Sequence, residues 1–206
     1  FDEAGELAQF GAKVLHPQTV WPAVKKNIPV RIKNTMNTSA VGTLITREGA
    51  RSQHLCKSVA SKKGVTVITL TTSKMLMAVG FLADVFAVFK KHNVSVDMVS
   101  TGEISVTMTV NMPAKSIPKR VLTELEEFSK VEIMEEQAIV CAVGTELRHK
   151  KGVAARIFEA IAEAGISVKA ISQSALEINI SCIIDEAEAE RALKALHKVI
   201  FETQAK

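Results

Sequence analysis

GFLADVFAVFKKHNVSVDMVS, residues 80–100, returns as GVAARIFEAIAEAGISVKAIS, residues 152–172, at a constant offset of 72 and without a gap. The segments before them keep the same offset, Ile68 against Val140 and Met75 against Leu147. A repeat of this kind is one supersecondary unit used twice, and it settles architecture before any single residue is read. It also supplies a comparison, because two copies with different duties should differ most at a ligand.

Within copy one, residues 65–72 are short and β-branched, bounded by Lys63-Gly64 and Ser73-Lys74, which predicts a strand. Phe81, Leu82, Val85, Phe86, Val88 and Phe89 then recur at helical spacing, and His92-Asn93 ends that helix. Residues 94–99 resume strand character. Ile104, Val106, Met108 and Val110 alternate with Ser105, Thr107 and Thr109, the pattern of a half-buried strand. Pro118 opens a second helix lined by Val121, Leu122, Leu125 and Phe128, and residues 131–134 close the unit. The order is βαββαβ, the ferredoxin-like plait of an antiparallel sheet with two helices on one face, so the fold class is α+β.

Copy two supplies strand 138–144, helix 153–164, strands 166–172 and 178–183, and helix 187–199, and no closing strand follows Phe201. A plait without its last strand leaves an open sheet edge. Residues 55–60, before copy one, form a short extended candidate for that strand. Copy one is therefore expected to be inserted in copy two. Residues 1–50 differ in kind: helices around 6–10 and 17–26, short strands at 30–33 and 42–45, and a polar linker at 49–53. They are too few for a core of their own and read as the tail of an upstream domain.

Bulk properties bound the function. The 206 residues are 47% hydrophobic and 23% charged, with no apolar run of membrane-spanning length. The opening FDEAGE is acidic where a secretory leader is basic, and a chain starting on Phe reads as a piece of something longer. Cytoplasmic placement is expected. Cys56, Cys141 and Cys182 are odd in number, scattered and set in apolar surroundings, which predicts buried reduced thiols. The five histidines show no metal-ligand spacing, so no metal site is expected. Residues 1–65 carry ten Lys/Arg against four Asp/Glu, whereas residues 66–206 carry sixteen against eighteen. The basic excess therefore lies off the repeats, and with no Tyr and 4% aromatics the sheet lacks the stacking residues of an RNA binder. A ferredoxin-like nucleic-acid binder is the disfavoured alternative.

A ligand site is legible in copy one. Residues 78–82 pass from strand to helix, so backbone N–H groups near Phe81 and Leu82 point outward, where a carboxylate binds. Gly80 lets a ligand approach the backbone. Asp97 follows Ser95-Val96 at the next strand, and Glu103 follows Gly102 at the next turn. A carboxylate-binding helix start beside two carboxylates suits an amino acid with two amines, namely lysine. At the offset of 72 Asp97 becomes Lys169 and Glu103 becomes Ala175, so copy two cannot offer the same ammonium site.

The stretch FGAKVLHP (residues 10–17), followed by IPV (28–30) and GTL (42–44), resembles the end of the kinase domain of aspartokinases. Residues 75–85 and SVDMVSTGEISV (95–106) resemble the first ACT domain of the monofunctional, lysine-sensitive class. NISC (179–182) resembles a strand of the second. The resemblance covers essentially the whole chain. It implies a kinase-domain remnant at 1–50, ACT domain 1 at 64–137, and ACT domain 2 assembled from 51–63 and 138–206. It implies the regulatory portion of an enzyme that uses ATP with magnesium to phosphorylate aspartate, with lysine as feedback inhibitor and a homodimer formed through ACT domains. The chain alone lacks most of the phosphotransfer site, so it should neither turn over nor hold ATP tightly. Lys13 and Val14 match residues that reach ATP, and His16 reads as structural; no catalytic residue is expected. The implied effector contacts are Met75, Ala78, Gly80, Phe81, Leu82, Ser95, Val96, Asp97, Gly102 and Glu103. Ala78 and Gly102 stand where the family often has serine, which removes two hydroxyls. The alternative within the family is a separate non-catalytic subunit binding lysine, threonine or another amino acid.

Overall fold

The computed structural model of the chain describes residues 1–11, 17–49, 52–76, 79–148, 150–173 and 178–202. Helices α1 (Asp2–Gln9) and α2 (Pro17–Lys26) precede a small antiparallel pair, β1 (Val30–Ile32) and β2 (Thr43–Ile45). The repeat region then forms one six-stranded antiparallel sheet. Its strands are β3 (Ser58–Thr71), β4 (Val96–Thr101), β5 (Ser105–Val110), β6 (Lys130–Val143), β7 (Ala170–Gln173) and β8 (Asn179–Asp185), in the order β4-β5-β3-β6-β8-β7. Helices α3 (Phe81–Lys91), α4 (Lys119–Glu126), α5 (Val153–Glu163) and α6 (Ala189–His197) cover it.

Two plaits share the two long central strands. Thr66–Thr71 of β3 pairs with β5, and β3 also pairs with Lys130–Met134 of β6, completing β4-β5-β3-β6 around copy one. Ser58, Val59 and Ala60 pair with Val143, Ala142 and Cys141, and the same half of β6 pairs with β8. The missing strand of copy two therefore comes from before copy one. Leu55, expected to begin it, lies outside the strand, which starts at Ser58. Where one plait gives way to the other the register of β3 on β6 shifts between Lys62 and Val67, with Gly64 and Glu136 in the left-handed region at φ 73° and 53°. Sequence reading ends strands at these points. The structure runs through them, because a shifted partner keeps supplying hydrogen bonds.

Three apolar cores follow. α3 and α4 bury Phe81, Val85, Phe89, Val121 and Leu125 on one sheet face with Ile68, Leu70 and Met108. α5 and α6 bury Ile157, Ile161 and Leu196 with Val140, Cys182 and Ile184. The helix-free faces of the two plaits meet around Val65, Val67, Met98, Ile139, Cys141 and Ile183, and Phe10 at the end of α1 plugs this third core. The outer strands β4 and β7 touch, so the sheet curls around that plug. Burial pushes the Cys56 thiol up to about 11 and those of Cys141 and Cys182 up to about 12; all three are unpaired.

Candidate functional site

The expected ligand residues fall into two groups at opposite ends of α3. The first surrounds the start of the helix. Gly80 caps it with φ 91° and makes no side-chain cap, so the first N–H groups, including those of Phe81 and Leu82, lack intrahelical acceptors. Among the described residues, a Cβ placed on Gly80 would meet nothing within 4 Å. The β4–β5 turn carrying Gly102 and Glu103 comes to the same end. Thr72 donates its N–H to the Ile104 carbonyl at 2.9 Å, and Gly102 closes the turn on Ser105 at 2.8 Å. Met75 sits in the helical turn right after Thr72 and leans on the copy-one core. Phe81 turns its side chain inward, edge-to-face on Phe128 with ring centroids 5.9 Å apart, so only its backbone faces out. Leu82 is half-exposed and Glu103 exposed. Ala78, Lys13, Val14 and His16 lie outside the described residues.

The second group is Ser95, Val96 and Asp97, where β4 begins. Val96 pairs with Val110, at the far end of β5 from Ser105, which faces Thr71. An 11-residue helix separates this end from Gly80, about 16 Å at 1.5 Å per residue. One copy of the chain thus does not bring Gly80 and Asp97 together.

Nor does the Asp97 carboxylate look toward α3. Pairing of β4 with β5 is irregular between Val96 and Val99, where the Met98 N–H turns to the Thr109 hydroxyl at 3.0 Å. The irregularity breaks the in-out alternation. Val96 and Val99 pack under α3, while Met98 joins the central core. Asp97 goes with Met98 and meets two side chains that sequence reading did not single out. The Lys62 ammonium lies 2.6 Å from one carboxylate oxygen, and the Gln9 amide donates to the other at 2.7 Å. The two charged side chains are 13% and 5% exposed, so the pair is largely out of water. Lys62 lies 35 residues away and Gln9 88, and no local pattern announces either.

Beside Asp97 a cavity of about 330 Å³ opens between α1 and the plaits, lined also by Glu6, Ser172, Asn179 and Ser181. The Asn179 amide donates to Glu6, and the buried Ser181 hydroxyl has no partner among the described residues. Further along α1, Glu3 accepts from Lys57 at 2.7 Å and from the Thr145 N–H at 2.7 Å. Copy two keeps the open helix start, with Gly152 at φ 79°, but reverses the charge at β4's counterpart: Lys169 donates to Asp185. No group of three His, Cys, Asp or Glu side chains able to hold a metal occurs among the described residues, and no helix among them is long and apolar enough to cross a membrane.

This pair of plaits has known counterparts. The family model of the ACT domain matches residues 68–123 and 140–200. Aspartokinase 1 of Arabidopsis thaliana, a chloroplastic protein, is 40% identical over 211 residues, 98% of this chain and 37% of that protein. Crystal structures of Escherichia coli aspartokinase III match with TM-scores of 0.85 with aspartate and ADP bound (32% identity) and 0.80 with lysine and aspartate bound (33% identity). Each match covers 97% of this chain and 45% of that one, so the chain spans less than half the length of these relatives. The chain is a member of the ACT domain family, carrying the domain twice, and its likeness to aspartokinases runs along 98% of its length.

Proposed function

We propose that the chain is the regulatory portion of an aspartokinase and that L-lysine is its effector. The longer protein would transfer the γ-phosphoryl group of ATP, with magnesium, to the aspartate side chain, in the cytoplasm. Lysine would bind copy one, prefer an inactive arrangement and shift the population away from active kinase. The domains are taken as a kinase remnant at 1–50, ACT domain 1 at 64–137, and ACT domain 2 at 51–63 with 138–206. Lys13 and Val14 are assigned to ATP in the longer protein, and the chain alone is expected to be inactive.

The observation that carries this reading is the helix start at Gly80, which has no side-chain cap, flanked by the Glu103 turn, in the copy that also bears Asp97. An amino-acid carboxylate fits the N–H groups there that have no acceptor within the helix. Its ammonium groups call for Glu103 and for Ser95, Val96 and Asp97. Because α3 holds those two groups apart, we assign the site to two copies of the chain, each giving its helix start to the other's β4. Copy one exposes Leu76, Val79, Leu82 and Ile104 around the same end and Phe86 along the flank of α3, an apolar surface suited to such a partner. Its counterpart of Phe86 in copy two, Phe158, packs on a core instead. Lysine in complex with E. coli aspartokinase III is in keeping with the effector chosen.

Calorimetry of the chain against L-lysine, L-threonine, L-methionine and S-adenosylmethionine tests the proposal. Lysine should give saturable heat, and Glu103→Gln should weaken it at least tenfold, about 1.4 kcal/mol. Saturable heat from another of the four alone would replace lysine as effector; heat from none would remove the site.

A further inference from the structure

Asp97, assigned above to a ligand ammonium, already holds one. Resting on that assignment, we propose that Lys62 is a tethered competitor for the effector's ammonium, and that displacing it loosens the last turn of α1 from the start of β4.

Three features of the structure lead there. A carboxylate 5% exposed, beside a lysine 13% exposed, does not stand without a cation partner. An incoming ammonium must therefore exchange with Lys62 rather than add to it, and the exchange leaves the charge at Asp97 unchanged. Lys62 has a flexible four-carbon stem able to carry its charge back to water. The cavity beside Asp97 supplies room, and the Ser181 hydroxyl, without a partner among the described residues, supplies a further acceptor on its wall.

The consequence travels through Gln9. Its amide on Asp97 ties the last turn of α1 to the start of β4, next to the Phe10 plug. A ligand that takes over both oxygens of the Asp97 carboxylate breaks its ties to Lys62 of β3 and to Gln9 of α1. Copy two has no such exchange, since its residue at this place is Lys169, satisfied by Asp185. The device belongs to the sensing copy alone.

Removing the competitor should tighten binding, because apparent affinity falls with the fraction of molecules in which the site is competent. Lysine titrations of the unmodified chain, Lys62→Met and Asp97→Asn, each checked for folding by circular dichroism, are the test, with Lys63→Met as control. Lys62→Met should bind lysine about tenfold tighter or more, Lys63→Met should bind like the unmodified chain, and Asp97→Asn should not bind. Unchanged or weaker binding by folded Lys62→Met overturns the competition while leaving the effector intact. Absence of binding by the unmodified chain overturns both. Should Lys62→Met fail to fold, amide exchange of the unmodified chain decides: saturating lysine should speed exchange at Phe10 and Gly11, and unchanged or slower exchange there sinks the proposal.

Discussion

Gly80 and Gly152 occupy the same place in two copies, and the difference between them separates folding from binding. Both cap a helix in the left-handed region, at φ 91° and 79°, and at both a Cβ would meet nothing within 4 Å among the described residues. Replacing either by alanine therefore introduces backbone strain without a clash, on the order of 1–3 kcal/mol. The two variants should lower the urea midpoint by similar amounts. Only Gly80→Ala should also weaken lysine binding, because copy two lacks acids at the positions of Asp97 and Glu103. Equal loss of lysine affinity in both variants would mean that the helix start matters through stability alone.

At the scale of the element, α1 is the part whose importance sequence reading understated. Residues 6–10 predict a helix, yet nothing local says that the helix docks on both plaits. Glu3 fixes one end of it. Burial alone would raise the Glu3 carboxyl, but the hydrogen bond from Lys57 and those from Thr145 outweigh it and hold its pKa below the ordinary value. A depressed folded-state pKa contributes stability above the unfolded value of about 4.3 and loses it as pH falls through the folded one. Glu3→Gln should therefore be less stable than the unmodified chain at pH 7, and the difference should shrink as the pH drops toward 3. A difference in urea midpoint that stays constant over that range would rule out the ionised Glu3 as the source. Elsewhere legibility tracked locality. Apolar spacing located α3 and α5 nearly to the residue, and His92-Asn93 marked a true end, with Asn93 at φ 55°. The long strands β3 and β6 each read as two pieces, because Lys63-Gly64 and the acidic run before Gln137 resemble breaks; pairing with distant neighbours carries the strands through. The stretch 166–172 shortened to Ala170–Gln173, where an outer strand has only β8 to pair with. The direction of the Asp97 side chain was not legible, since a strand irregularity, invisible in alternation, turns it toward Lys62.

At the scale of the whole molecule, the separation of Gly80 from Asp97 along α3 turns the oligomer into part of the site. A symmetric dimer presents the same patch from each copy, so every site would take its helix start from one chain and its β4 from the other. This gives a test that does not depend on seeing the dimer. Gly80→Val should spoil the helix start, and Asp97→Asn should spoil the strand, so each variant alone should bind no lysine. When the two are unfolded together in urea and refolded, mixed dimers should form. In each of these, one site pairs both damaged parts and the other pairs both intact parts. With random pairing half of the dimers are mixed, so about a quarter of all sites should recover with undiminished affinity. Calorimetry of the mixture should read about one lysine per four chains. Sedimentation should show a dimer that Phe86→Glu, a charge placed on the exposed flank of α3, converts to monomer with loss of lysine binding. If each site lay within one chain, refolding the two variants together would restore nothing. The same mixture would then bind no more lysine than its parts, and a shared site could not stand.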